Sequence, residues 1–314
     1  MTGCWRLAGL VTAALVLAGC AHNGAPGRAG PGAGGPARAG TTAPGATAPA
    51  TTAPATTGPV VSSGHVPCTA TTAAARRLSR VATTMTPVPG QPFGVAVTAD
   101  GRWAFVSRVN SVAVLRIRAS GPVLTRSLPA PEALGDTLTR DGRYLLVSSG
   151  SGATVVSVAR AEDGQPDPVL GTLLAPSGQG AIETAVSPDG QLAFVSLENS
   201  QGIAVFRLAR ALSRGFGPAD FAGTIPAGVA PVGMAVSPDG RWLYATSELE
   251  RGATSLNGPG MLSVISVRRA SRTPDRSVVA TVTAGCSPVR VILSPDGSTA
   301  WVTARGSDAL LAFR

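Results

Sequence analysis

One pattern recurs five times along the 314-residue chain: an apolar alternating run, an Asp-Gly pair, and a second run ending in Ser or Thr. The copies are PFGVAVTADGRWAFVS, ALGDTLTRDGRYLLVS, AIETAVSPDGQLAFVS, PVGMAVSPDGRWLYAT and SPVRVILSPDGSTAWVT. Self-similarity on this scale restricts the fold more than composition does, because each unit must bury its apolar face against its neighbours.

Within a unit the period is two, which belongs to strands. In the second copy Ala133 to Thr139 reads as strand A, and Asp141-Gly142 as a tight turn. Tyr144 to Ser148 reads as B, Thr154 to Val158 as C and Val169 to Leu174 as D. The repeated Asp residues stand at 100, 141, 189, 239 and 296. The last interval is the longest and carries an insertion, Glu248 to Pro259, between strands B and C. Repeats of about 40–50 residues with four short strands each predict an all-β fold, a β-propeller of four-stranded blades. Five blades are recognisable.

Two columns support this register. Phe105, Leu146, Phe194, Tyr244 and Trp301 align in strand B, and Val97, Leu138, Val186, Val236 and Leu293 align three residues before the Asp. Both are expected to pack blade against blade. The five Asp residues are expected to form turns rather than to catalyse. The fifth unit stops after strand C (Ala309 to Phe313), whereas Arg76 to Pro87 resembles a strand D without its A, B and C. That N-terminal outer strand is expected to complete the last blade and remove two open sheet edges.

The residues before the repeats differ in kind. Arg6 precedes an apolar stretch, Leu7 to Leu17, that is too short to span a bilayer. From Ala21 to about Ser63 the chain is nearly all Ala, Gly, Pro and Thr, and it cannot offset its own ordering entropy. The expected division is a signal peptide over 1–19, a tether over 20–63 and the propeller over 64–314. Such a tether would span roughly 35 Å as a coil.

The formal charge of +9 comes entirely from Arg, since there is no Lys. It invites a nucleic-acid or membrane-surface partner. The distribution argues against nucleic acid. Residues 1–99 hold six Arg and no acid, while residues 100–314 hold 20 Arg against 17 acidic residues, leaving the repeats near +3. No aromatic-and-basic stripe accompanies them. The two His residues, His22 and His65, precede the repeats, and no Cys-x-x-Cys occurs, so neither a metal nor another cofactor is expected.

The stretch Leu17-Ala18-Gly19-Cys20 resembles the lipobox of bacterial lipoproteins. That resemblance implies cleavage before Cys20, lipidation of Cys20 and an extracytoplasmic, membrane-anchored protein; an ordinary signal peptide is the alternative. Cys68 and Cys286 then remain. In an oxidising compartment they are expected either to form a disulfide or to stay as separate buried thiols.

The units also resemble the YVTN-type β-propeller repeats of bacterial envelope proteins, whose consensus is matched by Pro231 to Tyr244. The resemblance covers roughly residues 88–314. It implies a propeller, in relatives more often of seven blades, and it reaches lactonase-like enzymes as well as proteins without known chemistry.

In propellers of this kind ligands use the face that carries the D–A and B–C loops. Six residues before each Asp stand Gly94, Gly135, Glu183, Gly233 and Arg290. Three small residues would keep that mouth open, and two charged residues would face into it. Asp136, Arg108, Asn110, Glu198, Asn199, Glu248 and Arg305 are the neighbouring candidates, with Glu250, Arg251 and Asp308 further out. The face sums to about −2, which suits a cationic or polyhydroxyl ligand better than a polyanion. Glu183 and Arg290 either neutralise each other, are solvated, or act together as a site. As catalysts they would be general base and oxyanion partner in a lactonase-type hydrolase. The first expectation is a non-catalytic binding or scaffold module that meets an envelope protein or a small polar ligand on this face.

Overall fold

A computed structural model describes residues 84–250 and 258–314. The signal peptide, Cys20, the tether, Cys68, Arg76–Thr83 and Arg251 lie outside the described residues.

Five antiparallel sheets follow one another in chain order. Blade 1 is β1 (Pro92–Val97), β2 (Trp103–Arg108), β3 (Ser111–Arg118) and β4 (Gly121–Pro129). Blade 2 is β5 (Asp136–Leu138), β6 (Tyr144–Ser149), β7 (Gly152–Ser157) and β8 (Val169–Leu174), with a short helix α1 (Val158–Glu162) after β7. Blade 3 is β9 (Ala181–Val186), β10 (Leu192–Leu197), β11 (Gly202–Arg207) and β12 (Phe221–Pro226), with α2 (Leu208–Arg214) after β11. Blade 4 is β13 (Val229–Val236), β14 (Trp242–Leu249), β15 (Pro259–Ser266) and β16 (Val278–Cys286), with α3 (Val267–Ala270) after β15. Blade 5 has three described strands, β17 (Pro288–Leu293), β18 (Ala300–Ala304) and β19 (Ala309–Phe313). The inner strands β1, β5, β9, β13 and β17 stand side by side, so the chain is a β-propeller.

The turns are built alike in all five blades. The Ser or Thr two residues before the Asp donates its hydroxyl to Asp Oδ1, at 2.5 Å in Ser187–Asp189 and 2.6 Å in Ser237–Asp239. The same oxygen accepts the N–H of the residue after the glycine, as Arg241 does at 3.0 Å. The glycine has positive φ, +72° at Gly240, where a side chain would be strained. These bonds favour the ionised carboxylate, with the serine hydroxyl the largest cause at Asp239 and Asp296, and hold both down to about 2. The turn role expected from sequence is what the structure contains.

An acid-stability experiment follows from this. The folded turns bind protons more weakly than the unfolded chain, so their contribution is full above about pH 4 and lost as pH falls through 2. Asp239→Asn/Asp296→Asn should flatten the fall in melting temperature between pH 4 and 2. An unchanged acid slope would show that the turn carboxylates carry no linkage.

Between blades the strand-B column behaves as expected until the fifth unit. Phe105, Leu146 and Phe194 are fully buried, and Tyr244 packs against the cluster of Leu262, Ala284 and Val302. Trp301 is 38% exposed, and among the described residues no sixth sheet lies behind it. The facing side of blade 1 is open in the same way: Phe93, Val95 and Val97 on β1 are exposed, as are Ile292 and Leu310 on blade 5. In the second column Val97 is therefore exposed, whereas Leu138, Val186, Val236 and Leu293 are partly buried.

The expected N-terminal strand D is corrected over its described part. Residues 84–87 have no regular structure. They run along blade 1, where Thr86 Oγ1 donates to the Pro122 carbonyl at 3.0 Å and Val88 packs on Ala104, Ala113 and Leu115. Pro87 and Pro89 lack the N–H groups that a ladder needs, so this stretch covers a face instead of extending an edge. The three short helices were not anticipated either. Ser157 and Ser266 cap α1 and α3, and each helix buries an i, i+3 pair such as Val267 and Ala270.

Candidate functional site

The mouth is set by the inner strands and wired by the strand-B hydroxyls. Ser196 Oγ accepts the Glu183 N–H at 3.1 Å and donates to the Val232 carbonyl of the next blade at 2.9 Å. Thr246 repeats this with Gly233 N–H and the Val289 carbonyl, both at 3.0 Å. Ser107 accepts from Gly94 N–H at 2.8 Å and donates to the Leu134 carbonyl. In blade 5 Thr303 accepts the Arg290 N–H at 3.2 Å. With the Gly135 N–H, which donates to the Ile182 carbonyl at 2.8 Å, these bonds fix the position six before each Asp, so the residue type there decides what the mouth contains.

Glu183 and Arg290 meet in an ion pair between blades 3 and 5. The Arg290 guanidinium carbon also lies 5.9 Å from the Phe93 ring centroid, so the pair reaches blade 1. Burial lowers the Arg290 pKa from its usual value. The two side chains therefore meet at the mouth, as both mutual neutralisation and a joint site require.

Asp136 starts β5 on blade 2 and faces blade 1. Its Oδ1 is 2.8 Å from where a Cβ on Gly94 would stand, which accounts for the glycine. Its Oδ2 is buried without a hydrogen-bond partner. Burial pushes the carboxyl up to about 7, opposed by the N–H groups of Ser107 and of Asp136 itself.

Further out, Arg305 Nη2 donates to both oxygens of Glu248, at 2.8 and 3.0 Å. Glu198 faces the same pair; burial first, then Glu248, raises its pKa, while Arg305 opposes the shift. With Asn199, Gln201 and Ser287 they line a cleft of about 460 Å³ spanning blades 3 to 5. Asn199 also packs against Gly180.

Two candidates stand elsewhere. Arg108 is buried, donating from Nη1 to the Pro89 carbonyl at 2.8 Å and from Nη2 to Ser127 Oγ at 2.7 Å. It ties the entry segment to β4 and is not open to a ligand. Asn110 is exposed in the β2–β3 turn. What sequence reasoning missed is the desolvation of Asp136, whose neighbours Gly94 and Ser107 come from blade 1, and the burial of Arg108 by the entry segment and by β4 of its own blade. Among the described residues no three His, Cys, Asp or Glu side chains converge as a metal site. Cys286 is buried at the end of β16 and disulfide-bonded.

No family model and no curated protein matches the sequence. Solved structures match in fold. One is a functionally unknown protein from Desulfotomaculum acetoxidans, 14% identical with a TM-score of 0.56, over 73% of this chain and 71% of that one. Two are candidate 6-phosphogluconolactonases. The one from Bacteroides uniformis is 17% identical with a TM-score of 0.52, over 70% of this chain. The one from Bacteroides fragilis is 18% identical with a TM-score of 0.54, over 69% of this chain. This chain spans 65% and 64% of the length of those two proteins, less than two thirds of each. At this level of identity the likeness is one of architecture, and it shows a β-propeller.

Proposed function

We propose that the protein is an envelope-anchored binding module that presents the mouth face of its propeller to a cationic or polyhydroxyl group on a partner. The anchor in this proposal is Cys20, the spacer is residues 20–63, and Cys68 pairs with Cys286 to fasten the start of the domain to blade 4. The carrying observation is the Glu183–Arg290 ion pair. A hydrolase would need that carboxylate as a free base and that guanidinium free for the developing oxyanion. Here each occupies the other. Recognition falls instead to the outer cleft, where Glu198 and Asn199 supply acceptors beside the Glu248–Arg305 pair.

The second reading is a lactone hydrolase, favoured by the two candidate 6-phosphogluconolactonases of like fold. One experiment separates the two. The mature chain is expected to leave glucono-δ-lactone and 6-phosphogluconolactone at their solvent rates. It is also expected to capture one defined partner from envelope extract, with recovery lost in Glu248→Ala. Lactone opening that Glu183→Gln abolishes at unchanged melting temperature would establish the hydrolase and remove the binding module.

A further inference from the structure

The opposite end of the propeller, where the Asp-Gly turns lie, carries a series of clefts between successive blades. Each is built from the A–B turn of one blade and from the strand-B start and C–D helix of the next; the third is lined also by Arg207 and Arg210, at the end of β11 and in α2 of its first blade. The cleft between blades 1 and 2 measures about 460 Å³, and that between blades 2 and 3 about 430 Å³. The cleft between blades 3 and 4 measures about 860 Å³.

Sequence explains the difference at two helix positions. The second helix residue is Ala159 in α1 and Ala209 in α2, but Arg268 in α3. The fifth position is Glu162, then Leu212, then Ser271. Glu162 and Leu212 line the smaller clefts. Ser271 leaves that space open, and its hydroxyl turns back to the Arg268 carbonyl at 2.9 Å. A wall that is filled at two junctions is cut away at the third, where a cation replaces a methyl group.

The charges around the space are unequal. Arg210 is paired with Asp220 at 3.0 Å and Arg241 with Asp239 at 2.5 Å. Arg207 is positioned without being neutralised: its Nη1 donates to the carbonyls of Ala219 and Phe221 at 3.3 and 3.1 Å. Arg268 is exposed and pairs with no carboxylate among the described residues. Against these two cations stands one lining carboxylate, Asp189, already engaged by Ser187 and the Gln191 N–H. Half-buried Trp242 and the buried side chains of Leu192 and Val267 supply an apolar wall.

We propose that the cleft between blades 3 and 4 binds a small oxyanion, a phosphate ester or carboxylate, carried on an apolar body. Arg207 and Arg268 take the oxyanion and Trp242 packs against the body. The volume lies in the range of small-molecule sites, and a charge-assisted guanidinium contact is strong enough to select the anion. The site is independent of the mouth face and of the function proposed for it. A soluble metabolite and an anionic lipid share this chemistry, and the test separates them.

With residues 21–314, which lack the proposed Cys20 lipid, 1-naphthyl phosphate is the soluble probe and phosphatidylglycerol in phosphatidylcholine vesicles the lipid probe, both read by titration calorimetry. Binding of either is expected, with affinity falling at least tenfold in Arg268→Ala and in Ser271→Leu, which copies the residue of α2 into α3. Binding of vesicles alone would assign a lipid, and binding of the naphthyl ester a soluble ligand. The proposal is overturned if neither probe binds, if both variants bind undiminished, or if inorganic phosphate binds as tightly as the naphthyl ester. Arg268 is a surface residue, so Arg268→Ala reports even where Ser271→Leu disturbs folding.

Discussion

Asp136→Asn is expected to stabilise the propeller at pH 8 and to change little at pH 4. The carboxyl of Asp136 is pushed up to about 7 by burial, and its Oδ2 has no partner. In the unfolded chain the same group ionises near pH 4. Its folded pKa is therefore raised above its unfolded value. Stability associated with it is full below pH 4 and declines as pH rises to about 7, because the unfolded chain gives up the proton first. About three pH units at roughly 1.4 kcal/mol each set an upper bound near 4 kcal/mol, and 2–4 kcal/mol is the expected range. Asn is isosteric and cannot ionise, so the slope disappears. Urea unfolding of both proteins at pH 4 and pH 8 measures this directly. Equal slopes would mean that Asp136 ionises freely in the folded state.

Gly233→Ala is expected to cost about 3 kcal/mol or more, although it adds one methyl group. A Cβ there would stand 2.3 Å from the Val289 carbonyl oxygen and 2.9 Å from the Arg290 Cα. Both are backbone atoms of blade 5, so no rotamer relieves the clash, and the two blades must move apart. Thr246 bridges these same groups, accepting from Gly233 N–H and donating to the Val289 carbonyl, so separation also breaks that bridge. Gly217→Ala is the control. Nothing lies within 4 Å of its Cβ and its φ is −163°, so its melting should stay within about 0.5 kcal/mol of the parent. If the two substitutions proved equally mild, close approach of the inner strands would not be what holds blade 5.

Three residues show where sequence reasoning succeeds and stops. Asp239 was legible as a turn former, because its partners Ser237 and Arg241 are two residues away on either side. Glu183 and Arg290 were legible as the charged departures from a glycine position, with mutual neutralisation among the alternatives, but only the fold shows that residues 107 apart in the chain meet. Arg108 was misplaced among ligand candidates. Its repeat position puts it at the mouth-side end of β2, and only folding shows the Pro89 carbonyl and Ser127 hydroxyl that bury it. The same limit applies to Trp301, whose column is right and which is nonetheless exposed.

From sequence alone came the period, the five sheets, the turn chemistry and the identity of the residues around the mouth. All of these rest on contacts within a few residues or on a repeat that lays equivalent positions in register. The tertiary structure alone decided that Glu183 and Arg290 pair, that Asp136 is desolvated, that the faces of blades 1 and 5 stay open, and that the cleft between blades 3 and 4 is wide. These depend on side chains brought together from different blades, and the distances between blades are set by packing, which no local pattern encodes.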